Sequence, residues 1–146
     1  MAKLILFIHA GATLYMVGLI WFVQVVHYPL FDGVDHGRFA QYERRHTQRT
    51  SWVVLPPMVV ELACAAALLV LRPDAVPHWM TILGLALVAL IWAVTFGLSV
   101  PQHHKLLEGF DAQAHRRLVG TNWLRTAAWS LRGGLALWML ALTTRG

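Results

Sequence analysis

A chain of 146 residues makes one domain or one bundle. Apolar residues are 58% of it and Asp, Glu, Lys and Arg only 13%, against about 45–50% and about 25% in an ordinary soluble domain; a soluble globule of this size could not hide so much apolar surface. The net charge of +5 therefore belongs with the positive-inside rule of membrane proteins, and nucleic-acid binding is set aside because no basic run is interleaved with aromatics.

Four apolar segments follow in chain order, at about 4–30, 51–71, 79–100 and 118–142, and each reaches the ~20 residues that a spanning helix needs. The first follows Lys3, as in a signal peptide, but it is too long for one and no small-residue cleavage site closes it. It is expected as a retained helix. The connection 31–50 is polar, with a helical composition over His36–Arg49 that can lead straight into the second helix. Pro73 and Pro77 mark a short turn before the third helix, and the connection 101–117 is polar with Gly109 and Asp111 near its middle. The lone Cys64 excludes an intrachain disulfide and sits in an apolar run.

Orientation comes from the basic residues outside the spans. Arg38, Arg44, Arg45, Arg49, Lys105, Arg116 and Arg117 fall in the two longer connections; Lys3, Arg72 and Arg145 fall on the other side. That bias predicts an all-α integral membrane four-helix bundle, multi-pass in the inner (cytoplasmic) membrane, with both termini on the non-cytoplasmic side.

The second segment opens with an anomaly. Pro56 and Pro57 donate no N–H, so carbonyls near Trp52 and Val53 lose their helical partners and a break is expected. Glu61 follows about a turn later, near the midplane, and an ionisable group there is a functional candidate once a partner is named. The fourth segment supplies partners. Asn122, Arg125, Trp129 and Arg132 recur at spacings of three and four and form one stripe. Arg132 lies at the depth of Glu61 and Arg125 about two turns shallower, so a buried Glu61–Arg pair is expected, with Arg132 the favoured partner. A purely structural ion pair that fixes helix register is the competing account.

The histidines form a second group at the cytoplasmic side. At ~1.5 Å per residue, His27 lies about 5 Å inside the first helix and Gln24 about 10 Å inside, on one face. His103 and His104 follow Pro101, and His46 stands in the helical part of the first connection, a turn after Tyr42. His27, His46, His103 and His104 are the expected metal ligands. No helix is expected to carry a metal signature by itself, so the site must draw on several. His36 and His115 are expected to be solvated. His9 and His27, five turns apart on one face, leave a bis-histidine haem open. A transition metal or haem is thus the expected cofactor.

The run Val100-Pro101-x-His103-His104-x-Leu106, followed by Asn122-Trp123-x-Arg125, resembles a pattern in small four-helix membrane proteins grouped with fungal anthrone oxygenases. The resemblance covers the C-terminal third. It implies that Asn122 and Arg125 line a pocket, with His103 standing where that family more usually has an Asn. A fainter likeness is to four-helix haem-biosynthetic oxidases and copper-resistance membrane domains, which also use first-helix histidines.

Together these readings predict a membrane-embedded redox enzyme acting on a small lipophilic substrate. Glu61, His27 and Arg125 are its expected catalytic groups, and Gln24, Asn122, Arg132 and Trp129 its expected substrate contacts. A non-catalytic accessory subunit of a larger membrane complex is the alternative, and a homo-oligomer is compatible with either.

Overall fold

The computed structural model describes residues 1–144; Arg145, counted above with the basic residues, lies outside them. Five α-helices and three short π or 3-10 turns form four rods. Helix α1 (Ala2–Phe22) continues through a π turn (Val23–His27) into a short 3-10 turn (Pro29–Gly33). Helix α2 spans Phe39–Leu68. Helix α3 (His78–Val94) runs through a second π turn (Thr95–Ser99) into α4 (Val100–Leu106), and α5 spans Ala112–Thr144. No strand occurs among the described residues.

The first three rods, Ala2–Gly33, Phe39–Leu68 and His78–Leu106, are long and apolar enough to cross a membrane. Helix α5 is longer than any of them, but Arg125 and Arg132 interrupt its apolar run. Both arginines are buried, whereas Trp123, Leu124, Leu131, Leu137 and Trp138 face outward. Polar groups turned inward and apolar groups turned outward is the arrangement that suits lipid rather than water.

Each rod touches two neighbours: α1 packs on α2 and α5, and α3 packs on the same two. Helices α2 and α5 therefore stand on the diagonal, and only long side chains reach between them. One apolar core, with Leu6, Leu68, Met80 and Met139, closes the end that holds the N-terminus. There Lys3 Nζ donates to the Thr143 carbonyl at 3.5 Å, so the two ends of the described chain share that face. The other core, with Ile20, Phe31, Phe39, Ile91 and Leu118, closes the opposite end. Gly133 allows the tight α1–α5 approach, because a Cβ there would stand 3.0 Å from Val17 Cγ2.

Two local expectations are corrected. The break at Pro56–Pro57 does not occur: α2 starts at Phe39 and passes both prolines as helix. Inside a packed bundle the missing backbone bonds are tolerated, because neighbouring helices hold the rod in place. Pro101 likewise does not end the third rod. It sits in the first turn of α4, where a helix has no use for its N–H, and the preceding π turn takes up the misfit. The chain then reverses at Gly109, whose φ of 144° suits only glycine. Asp111 starts α5 by accepting the N–H groups of Ala114 and Gln113, both at 2.8 Å. Those two bonds, Ala114 first, hold its carboxyl below the usual aspartate range.

Candidate metal centre and the polar interior

Because α2 is helical from Phe39, Glu43, His46 and Thr50 recur at three and four residues and share one face. Because α4 continues the third rod, His103 is carried on a helix toward that face. Glu43, His46 and His103 each offer a ligand atom within 4.8 Å of the others, so the group could hold a metal ion. Glu43 is 0% exposed. Its Oε1 lies 2.5 Å from His103 Nδ1, its Oε2 has no hydrogen-bond partner, and no Lys or Arg pairs with it among the described residues.

The surroundings orient these ligands. With Glu43 ionised, His103 Nδ1–H donates to it, which leaves Nε2 to accept from the Tyr28 hydroxyl at 3.0 Å. Tyr28 is fixed in turn by His115, whose Nε2–H donates to the Tyr28 carbonyl at 2.7 Å. His46 Nδ1 lies 2.9 Å from His27 Nε2 and 3.2 Å from the Thr50 hydroxyl. The rings of Phe31 and Tyr42 pack around His46. The π turn Val23–His27 ends on His27, and the π turn Thr95–Ser99 precedes α4; each adjusts the register of a ligand-bearing segment, as such turns often do at functional sites.

Of the four histidines expected as ligands, His46 and His103 belong to the three-residue group. His27 stands behind His46 as its hydrogen-bond partner. His104 is exposed and lines a neighbouring cavity. Glu43 was missed, although a signal existed: Glu43-Arg44-Arg45-His46 is a Glu-x-x-His spacing, which four-helix carboxylate bundles use to project two ligands inward. The expectation that no helix carries a metal signature is corrected by that run. His115, expected to be solvated, is buried against Phe31.

Glu61 occupies a different level. It lies fifteen residues beyond His46, about 22 Å along α2. Across the diagonal it accepts from Trp129 Nε1 at 2.9 Å and from Arg132 Nη2 at 3.3 Å, and Arg132 also donates to the Gly84 carbonyl. Arg132, not Arg125, is the partner of Glu61. His9 packs at this level beside Ala65, Leu68 and Gly84, around a gap of about 10 Å³, which has room for about one water and no macrocycle.

Gln24 and Asn122 also pair with each other. Asn122 Nδ2 donates to Gln24 Oε1 at 2.8 Å, and Gln24 Nε2 donates to the Val119 carbonyl at 3.2 Å, which ties α1 to α5. Arg125 stands apart from both pairs. Its guanidinium lies 5.3 Å over the Trp129 ring, and Nη1 donates to Ser99 Oγ at 3.3 Å.

A cavity of about 260 Å³ opens between α2 and the α3–α4 rod, with Tyr28, His103 and Arg125 in its lining. Thr47, Thr50 and Ser51 line its polar side; Val54, Leu55, Met58 and Phe96 line its apolar side.

Comparison of the chain with protein-family models, with curated proteins and with solved structures finds no match. The site must be read from its chemistry.

Proposed function

We propose that the chain is a four-span inner-membrane oxidoreductase whose active centre is a single transition-metal ion held by Glu43, His46 and His103. The observation that carries this reading is Glu43. A wholly buried carboxylate with one oxygen unpartnered and no cationic side chain beside it is costly unless a proton or a metal ion completes it. Two imidazoles at the same point favour the metal. A two-His, one-carboxylate set is the donor pattern of non-haem iron oxygenases, and zinc also accepts these donors. Donor atoms grouped within 4.8 Å suit one ion better than a haem, whose axial ligands approach from opposite faces.

Bound there, the metal would supply Lewis-acid or electron-transfer chemistry. The chain's own residues do the rest. Tyr28 and His27 hold the rings of His103 and His46, and His27 is placed to exchange a proton at the edge of the centre. A small lipophilic substrate would enter the cavity beside His103. Glu61 and Arg132 serve helix register rather than catalysis. The basic residues near the histidine end support placing that end in the cytoplasm and the termini outside.

The alternative is a non-catalytic subunit of a larger membrane complex, in which the Gln24–Asn122 and Glu61–Arg132 pairs serve only helix association. Metal analysis of the detergent-purified protein separates the two. About one equivalent of metal in the wild type, lost in Glu43→Gln and in His103→Ala, is the expected result. A folded wild type that takes up no iron, zinc, manganese or copper would overturn the metal reading and leave the accessory role.

A further inference from the structure

Two arginines of α5 are buried, and they are treated differently. Arg132 has the carboxylate of Glu61 and a backbone carbonyl. Arg125, 6% exposed, has no carboxylate partner among the described residues. It donates to Ser99 Oγ at 3.3 Å and stands beside the neutral Tyr28 hydroxyl, while its Nε has no hydrogen-bond partner. Guanidinium stays charged at any working pH, and the Trp129 face offsets only part of the cost of burying that charge. No ion pair joins it to Glu43, whose Oε1 is taken by His103. The charge lines the cavity that also holds His103.

One wall of that cavity has the opposite character. Val54, Leu55, Met58 and Phe96 form an apolar wall, and Leu55 and Phe96 are exposed on the outer surface of the bundle. On that side the cavity meets the apolar surroundings of the rods, while elsewhere its lining carries a buried cation with no carboxylate in ion-pair range. Pockets of this kind use an apolar lining for affinity and a few placed polar groups for orientation. At about 260 Å³ the volume suits one hydrocarbon chain, not the two chains of a bilayer phospholipid.

We infer that the cavity binds a single-chain anionic amphiphile, its apolar body along Val54, Met58 and Phe96 and its anionic oxygen on Arg125, facing His103. This rests on reading the site as one that processes a ligand, and it names the class of that ligand. Arg is suited to the role because its planar fork grips a carboxylate through two parallel N–H donors. A cationic amphiphile would meet like charge, and a neutral one would leave Arg125 without a counter-ion.

The experiment is a calorimetric titration of the full-length protein in phosphatidylcholine nanodiscs, stripped of metal with a chelator, with decanoate, decanol and decyltrimethylammonium. Working without metal keeps the outcome independent of the metal centre: decanoate binding to a protein that takes up no metal supports the ligand class while the metal reading fails. Decanoate should bind roughly tenfold or more tightly than decanol, and the ammonium compound more weakly than either. Arg125→Gln should abolish the preference, and Arg125→Lys, which keeps the charge, should retain part of it. Val54→Trp, which narrows the apolar wall, should weaken decanoate and decanol together. Equal binding of decanoate and decanol by the wild type would overturn the inference, as would a preference unchanged in Arg125→Gln or an affinity unchanged in Val54→Trp. Loss of decanoate binding in discs containing phosphatidylglycerol would reassign the site to bilayer lipid, and so overturn it as well.

Discussion

Glu43 on α2 and His103 on α4, sixty residues apart in the chain, meet at 2.5 Å in a place where Glu43 has no other polar partner. The contact brings the candidate ligands together before any ion arrives, although bonds of about 2.0–2.2 Å to a metal would require the two atoms to part. It also means that a metal must displace a proton from the His103–Glu43 contact, so affinity should fall as pH falls.

The first expected outcome concerns that contact. Glu43→Gln keeps the size of the side chain and can still accept one hydrogen bond from His103, so the helical signal in circular dichroism should be unchanged. Metal retained after dialysis should drop to background. Full retention of metal by this variant would move the centre elsewhere.

His27 acts through His46 rather than as one of the three grouped ligands. Removing a hydrogen-bond partner of a ligand typically lowers metal affinity by about 10–100-fold without unfolding the protein. Competition with a chromogenic chelator should place His27→Ala in that range. An affinity equal to that of His46→Ala would instead make His27 a ligand in its own right.

The Glu61–Arg132 pair is expected to behave as a unit. Glu61→Leu or Arg132→Leu alone leaves one buried charge without its partner, at a cost of about 3–5 kcal/mol. The double variant should cost much less than the sum, because no lone charge remains. Reversible unfolding in mixed micelles provides the three values; strict additivity would show that the two charges do not interact.

At the start of α5, Asp111 is the cap, and its folded-state pKa is depressed by the N–H groups of Ala114 and Gln113. A depressed carboxyl stabilises the folded state above its unfolded pKa of about 3.9 and loses that effect as pH falls through the folded value. Asp111→Ala should therefore melt below the wild type at neutral pH, and the gap should narrow under acid. Asp111→Asn should stay close to the wild type throughout, since asparagine caps nearly as well. A gap independent of pH would assign the effect to something other than the carboxylate.

How much of this was legible beforehand depends on what each residue's environment was taken to be. The helical architecture followed from apolar run lengths, and Arg132 as the partner of Glu61 followed from rise per residue, because both arguments need only the geometry of one straight rod. Glu43 did not emerge, because Arg44, Arg45 and Arg49 beside it make that stretch look like a solvated connection. Only the continuation of α2 back to Phe39 turns every third or fourth residue of it inward. His103 was expected as a ligand but on a connection rather than a helix, because Pro101 reads as a terminator until the π turn before it makes room for α4. Gln24 and Asn122 were each expected to contact substrate, but spacing along each helix cannot say that they satisfy each other.

The cross-bundle bond from α5 to Glu61 has a consequence for how the protein is made. On the four-span reading, the first three rods are apolar enough to enter lipid as each emerges from synthesis. The last carries two arginines whose separate transfer is unfavourable by about 2.5–3.5 kcal/mol each on insertion scales, and the carboxylate that neutralises Arg132 is already waiting on an earlier segment. Insertion of the final helix and closure of the bundle are then one event, and a chain carrying Glu61→Leu should insert that helix less completely than the wild type.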